Sequence, residues 1–275
     1  MASPGVGVTC RAPAKLNLYL HVLGQRSDGF HVLDSLVMFA DVGDVVRVES
    51  GPTLTLAVAG PFADDLAATD PENNLVVRAA RALARHGGLE AAATITLDKN
   101  LPVAAGIGGG SADAAATLHA LNALWGLAAS DAELAELGME IGADVPACLV
   151  SQPLLMGGAG EQIELAPTTP ALSLVLVGPN APLSTAQVFG ARQGTRSEHG
   201  RMTPSDSVQA FVQDLSGRHN DLQAAAVALR PVIGDALGSL EVEPGCMLAR
   251  LSGSGSVCFG IFPSAEDAEI AAENI

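Results

Sequence analysis

The stretch that most constrains this chain is Leu101-Pro102-Val103-Ala104-Ala105-Gly106-Ile107-Gly108-Gly109-Gly110-Ser111-Ala112-Asp113, with four glycines among positions 106–110. It opens directly into Ala-rich, helix-favouring sequence that runs to Trp125. Glycines allow positive φ and bring bare N–H groups close to a ligand, while the start of the following helix aims its unpaired N–H groups and positive dipole end at the same place. These are the physical requirements of an anion site, and a phosphate is the usual occupant. From these residues alone, a Gly-rich turn between a strand and a buried helix is the alternative.

The 275 residues, 48% hydrophobic, suffice for one large or two ordinary globular domains. A formal charge of −16 and a pI near 4.5 argue against nucleic acid or an anionic membrane as partner, because the long-range field repels both. Any phosphate site is therefore built locally, for a small molecule. Met1-Ala2-Ser3-Pro4-Gly5 shows neither the basic start nor the apolar core of a signal peptide, and no segment has the apolar length of a membrane span, so the cytoplasm is the expected compartment. Cys10, Cys148, Cys246 and Cys258 are scattered without a Cys-x-x-Cys pair and read as small apolar residues. The six histidines form no zinc motif, and the sequence assigns no metal ligands. Of fourteen basic residues only Lys15 and Lys99 are lysines. A chain that uses Arg for ordinary surface charge keeps a compact ammonium where a site needs one, although two residual surface lysines would look the same.

Strands are predicted from Val6 to Leu23, interrupted at Pro13-Ala14-Lys15, and at Ser35–Ala40, Val45–Glu49, Thr53–Ala59 and Thr94–Leu97. Lys15 and Asn17, two apart, share a strand face. Helices are predicted over Asn74–His86, Ala112–Trp125 and, behind the capping box Ser130-Asp131-Ala132-Glu133, as far as Ile141. The turn Gly142-Ala143-Asp144-Val145-Pro146 then holds Asp144 between two rigid elements and feeds the apolar run 147–150. Glycines at 157–160 and prolines at 167–170 mark a boundary, giving domains 1–160 and 161–275. Beyond it come a strand at Leu172–Val177, a helix start at Ser184–Gly190, helices near Ser207–Leu215, Asp221–Leu229 and Val232–Leu240, and strands at Cys246–Leu251 and Val257–Phe262. A closing helix opens at Ser264. Strands mixed with helices in both halves predict an α+β fold of two domains that share a cleft.

The phosphate motifs of the commonest nucleotide folds are missing. A Walker A loop needs Gly-Lys, which occurs nowhere in the chain, and Gly106-Ile107-Gly108 departs from a Rossmann fingerprint. Three stretches, in order and in position, instead resemble the signatures of the GHMP kinase superfamily. Pro13-Ala14-Lys15-Leu16-Asn17-Leu18 resembles its first motif, Leu101–Ser111 its phosphate loop, and Leu251-Ser252-Gly253-Ser254-Gly255-Ser256 its third, Gly-rich motif. Asp28-Gly29-Phe30-His31, Glu72-Asn73-Asn74-Leu75 and Gly142-Ala143-Asp144-Val145-Pro146 narrow the likeness to kinases of a cytidine-diphosphate-linked methylerythritol.

The resemblance implies a two-domain GHMP kinase fold with the ATP and substrate cleft between domains. It also implies ATP- and Mg²⁺-dependent phosphorylation of the substrate's 2-hydroxyl, a step of non-mevalonate isoprenoid precursor synthesis. Pro102, Ala104, Gly106, Gly108, Gly109, Gly110 and Ser111 would cradle the ATP phosphates, Ser111 offering its hydroxyl to a phosphate or to Mg²⁺. Asn74 and Lys99 fall to the adenine neighbourhood by the same resemblance, and Asn17, Thr185 and Phe189 to the substrate. Phosphoryl transfer asks mainly for positioning and charge stabilisation. Asp144 is the candidate base for the acceptor hydroxyl, and Lys15 the cation that orients it and favours an ionised Asp144. Phe30 and His31 offer the cytosine a stacking face and edge hydrogen bonds. The family's usual tyrosine at the first of these positions is Phe30 here, and the second serine of its frequent pair is Ala112. Another small-molecule kinase of the superfamily, or a diphosphomevalonate decarboxylase on the same fold, is the competing assignment.

Overall fold

A computed structural model describes residues 7–67 and 70–275. The predicted strand start at Val6 and the reading of Met1–Gly5 lie outside the described residues. In chain order the elements are β1 (Val8–Gln25), β2 (His31–Glu49), β3 (Thr55–Ala59), α1 (Ala63–Ala67), α2 (Leu75–His86), β4 (Thr94–Asp98), α3 (Gly109–Trp125), α4 (Asp131–Ile141) and α5 (Val145–Val150). They continue with β5 (Leu154–Gly158), β6 (Gln162–Leu165), β7 (Ser173–Val177), α6 (Thr185–Ala191), α7 (Val208–Ser216), α8 (Gln223–Leu229), α9 (Val232–Glu241), β8 (Leu248–Leu251), β9 (Cys258–Phe262) and α10 (Ala265–Asn274). The fold class is α+β. Among the described residues no helix is long and apolar enough to cross a membrane.

Several predicted boundaries move. β1 runs unbroken through Pro13-Ala14-Lys15, and the strands expected at 35–40 and 45–49 are parts of one long β2. Proline lacks an N–H and usually ends a ladder. Here Gly43 lies against it, where a Cβ would sit 2.7 Å from Pro13 Cα, so the missing side chain makes room for the strand to pass. α3 begins at Gly109, three residues before the predicted start, and the apolar run 147–150 belongs to the short helix α5.

The chain forms two compact units. The first comprises residues 7–15, 39–67, 70–103 and 108–151. In it β2 pairs antiparallel with β4, Val48 opposite Ile95, and β4 pairs parallel with β3. Val46, Val48, Ile95 and Leu97 from the strands join Val76, Leu83, Leu118 and Leu121 from the helices in one core. Where α2 packs on α3, the buried residues are largely alanines, which let the helix backbones come close. Asn74 caps α2 through its side chain, and the predicted capping box between Ser130 and Glu133 starts α4.

The second unit comprises residues 16–38, 104–107 and 152–275. Its part of β2 pairs antiparallel with β5, Val37 opposite Leu154, and β5 and β6 form a hairpin with Gly160 in its turn. The boundary predicted near residue 160 falls on that turn. β7, β9 and β8 make a separate antiparallel sheet. Its core gathers Val175, Ile233, Leu237, Leu240 and Phe262.

Candidate active site

In the first unit the end of the glycine stretch and the first lysine motif come together. Gly108, at φ +63°, caps α3 and has no side chain to occupy the N–H groups of the first turn, so these donors face outward at the positive end of a 17-residue helix. A Cβ at Gly108 would lie 3.0 Å from Lys15 Cβ and 3.1 Å from Lys15 Cε, so the lysine stem runs directly along this turn. Lys15 is buried, and its Nζ sits 3.2 Å from Asp144 Oδ1. Asp144 caps α5 without spending its carboxylate on the helix, which leaves the group for Lys15 and for a ligand. The Gly142–Asp144 turn also neighbours Ser111, whose Oγ is 4.0 Å from where a Cβ of Gly142 would be. Lys15, Asp144, Gly108 and Ser111, singled out in the sequence, therefore form one cluster.

Lys99 and Asn74 occupy other surroundings. Lys99 is buried beneath the start of α3, where Nζ donates to Asp113 Oδ2 at 2.8 Å and to Asp44 Oδ2. Asp44 is itself fully buried, and its Oδ1 accepts the backbone N–H groups of Asn100 (2.5 Å) and Leu101 (2.8 Å). Burial pushes the Asp113 carboxyl above the usual carboxylate range, against the downward pull of the Lys99 ammonium. Asn74 Oδ1 accepts the Val76 N–H at 2.9 Å as the helix cap. Pro102 is half-buried on the chain between β4 and α3.

In the second unit the earlier part of the glycine stretch leans on the third Gly-rich motif. Val257 N donates to Ala105 O at 3.0 Å, and Ser252 Oγ donates to Gly106 O at 3.1 Å while accepting Asn17 N at 3.2 Å. The approach is backbone to backbone. A Cβ at Gly106, itself at φ +75°, would stand 2.7 Å from Gly255 N and from Ser252 O. Ala104 also takes a positive φ of 53°, a strained conformation for a residue with a Cβ. Asn17 Nδ2 donates to Ser35 Oγ at 2.8 Å, and Thr185 Oγ1 lies 2.9 Å from Ser254 Oγ.

Of the ring contacts in this unit, that of His31 with Phe189 is stacked, with centroids 4.5 Å apart and planes 22° from parallel. Phe30 is instead 63% exposed. Burial and the nearby Arg192 guanidinium both lower the His31 pKa from its ordinary value of 6.5, which favours the neutral ring. A neutral imidazole offers one donor and one acceptor, the polarity needed to read the edge of a base.

Residues 74–152 match the GHMP kinases N terminal domain, and residues 208–275 match the GHMP kinases C terminal family. The 4-diphosphocytidyl-2-C-methyl-D-erythritol kinase of Paramagnetospirillum magneticum is 47% identical over 265 residues, covering 96% of this chain and 92% of the relative. The chain belongs to the 4-diphosphocytidyl-2-C-methyl-D-erythritol kinase family. The family member from Rhodospirillum rubrum is 48% identical over 259 residues, 94% of this chain and 84% of its own. A crystal structure of 4-(cytidine 5'-diphospho)-2C-methyl-D-erythritol kinase has a TM-score of 0.80 at 30% identity, covering 97% of this chain and 94% of that one. Homoserine kinase from Cytophaga hutchinsonii shares the fold, with a TM-score of 0.68 at 20% identity over 100% of this chain and 91% of its own.

Within this chain, the supporting residues are the ones its sequence did not single out. Asp44 carries no local signal, since its partners lie 55 or more positions away. Asp113 stands inside the glycine motif, and only its burial reveals a role. Asn220 Nδ2 donates to the carbonyls of Leu251 and Gly253, 2.8 Å each, and so fixes the third Gly-rich motif from α8's approach. Tyr19 is fully buried, and its hydroxyl donates to Gly200 O at 2.6 Å with Asp34 Oδ1 at 3.1 Å.

Proposed function

We propose that this chain transfers the γ-phosphoryl group of ATP to the 2-hydroxyl of 4-diphosphocytidyl-2-C-methyl-D-erythritol, with Asp144 as base and Lys15 as orienting cation. The observation that supports it best is the Lys15 Nζ–Asp144 Oδ1 contact of 3.2 Å beside the glycine turn at Gly108. Asp144 accepts the proton of the acceptor hydroxyl, and the hydroxyl oxygen attacks the γ-phosphorus. The bond from that phosphorus to the β,γ-bridging oxygen breaks, and ADP leaves. Lys15 holds the acceptor oxygen and the carboxylate in one place, so that the attack is close to unimolecular. The first-turn N–H groups of α3 and the Ser111 hydroxyl bind phosphate oxygens, joined by the loop residues Pro102, Ala104, Gly106, Gly109 and Gly110.

Mg²⁺ prefers an octahedral oxygen set, keeps several waters and is held largely by substrate phosphates. Among the described residues no group of three or more His, Cys, Asp or Glu is placed to hold a metal. Ser111 Oγ would be an oxygen ligand to such an ion, which when bound would spread the charge of the phosphates. For the acceptor, His31 and Phe189 with Phe30 form the cytosine-binding group, and Asn17 and Thr185 are further substrate contacts. The domains we assign, 1–160 and 161–275, draw support from the two family matches, which fall one on each side of that boundary.

The test is turnover of ATP by the purified protein with a panel of acceptors: the cytidyl substrate, mevalonate, its phosphates, and homoserine. Turnover restricted to the cytidyl substrate is the expected result. Turnover with mevalonate or its phosphates and none with the cytidyl substrate would overturn the assignment.

A further inference from the structure

The Lys99 ammonium is one of three ionisable groups buried together, with Asp44 and Asp113, at 2%, 0% and 3% exposure. They come from three places. Asp44 belongs to β2, Lys99 follows β4 on the way into the glycine stretch, and Asp113 lies in the early turns of α3 on the way out of it. Asp44 takes hold of the entry by accepting the N–H groups of Asn100 and Leu101. Lys99 then joins Asp44 to Asp113, and so ties the entry to the exit. The fit is close, since a Cβ on Gly109 would lie 3.2 Å from Lys99 Nζ. An ammonium seated between two buried carboxylates could contact a nucleotide base only by leaving both of them without their cation.

We propose that Asp44, Lys99 and Asp113 form a buried clamp that fixes both ends of the glycine loop, and that Lys99 is a positioning residue for the nucleotide phosphates rather than a ligand to the adenine. The proposal rests on the reading of the glycine loop as the ATP phosphate site. A loop whose ends are already fixed loses less freedom when a triphosphate orders it, so the clamp raises affinity for the phosphates without touching them. Asp113 Oδ1 is buried without a hydrogen-bond partner. The carboxylate is therefore kept in place for the lysine at a cost in polar satisfaction, which ordinary surface ion pairing does not require.

The experiment measures binding of two probes, a non-hydrolysable ATP analogue and adenosine, to the wild type, to Asp113→Asn and to the double variant Lys99→Met/Asp113→Asn. The double variant removes the cation and one carboxylate together and leaves Asp44 its two backbone donors, so it avoids an unpaired pair of buried charges. The clamp predicts that affinity for the ATP analogue falls about tenfold or more in both variants, while adenosine affinity stays within about twofold. Should the double variant fail to fold, Asp113→Asn, which keeps the Lys99–Asp44 pair, carries the same comparison. Equal losses for adenosine and the analogue would show a direct base contact and overturn the proposal, as would variants that bind both probes like the wild type. A wild type that binds no ATP analogue would instead overturn the underlying phosphate-site reading.

Discussion

Lys15 and Asp144 form an ion pair in which the lysine is almost wholly enclosed, at 4% side-chain exposure, while the aspartate remains 37% exposed. The cation is fixed and the carboxylate is reachable, which suits a base that must meet an incoming hydroxyl. Lys15→Met removes the fixed charge but leaves Asp144 access to water, so the protein is expected to fold. The predicted effect is a fall in kcat of about 10²-fold or more with a smaller change in the KM for ATP, read by steady-state kinetics. A fall confined to the KM for ATP would place Lys15 on the nucleotide instead.

Gly108→Ala tests the turn itself. The new Cβ meets the Lys15 stem at 3.0 Å, and φ of +63° is costly for an L-residue by about 1–2 kcal/mol. Lys15 has to shift, so kcat is predicted to fall about tenfold to a hundredfold alongside a lower Tm. Unchanged kinetics with a lowered Tm would separate the turn from the catalytic pair.

The depressed pKa of His31 gives a pH signature. The folded protein favours the neutral ring, so protonation waits until the pH is below the ordinary histidine value of 6.5. The KM for the cytidyl substrate is therefore predicted to stay flat from about pH 8 down to that value and to rise below it, and His31→Gln should remove the rise. The stability contribution has the same sign: it is present above the unfolded pKa and is lost as the pH falls through the folded one. A rise in KM that persists in His31→Gln would assign the titration elsewhere.

What the sequence revealed follows the range of the interactions involved. The helix start at Asn74 and the capping box at Ser130 depend on residues two and three positions apart, and both were readable. The continuity of β1 through Pro13 was not, because it depends on Gly43, thirty positions away. α3 was read from Ala112 because glycine is a poor helix former. It starts at Gly109, where a larger residue would crowd the buried Lys99. The grouping of Lys15 and Asp144 beside Gly108 was legible because the proposed chemistry dictates their types. The adjacent residues Phe30 and His31 have different surroundings, which the sequence does not show. His31 opens β2 and stacks on Phe189, while Phe30 precedes the strand and is exposed. The surroundings of Lys99 were hidden altogether, since neither carboxylate that holds it is marked by spacing.

Asp144→Asn, followed by rapid-quench single-turnover kinetics with ATP and the cytidyl substrate, tests the central claim most directly. The account predicts that the rate of phosphoryl transfer falls by about 10²–10⁴ while the affinity for ATP changes little, because the variant loses the proton acceptor and keeps the phosphate cradle. A single-turnover rate equal to that of the wild type would contradict it and remove Asp144 from the mechanism.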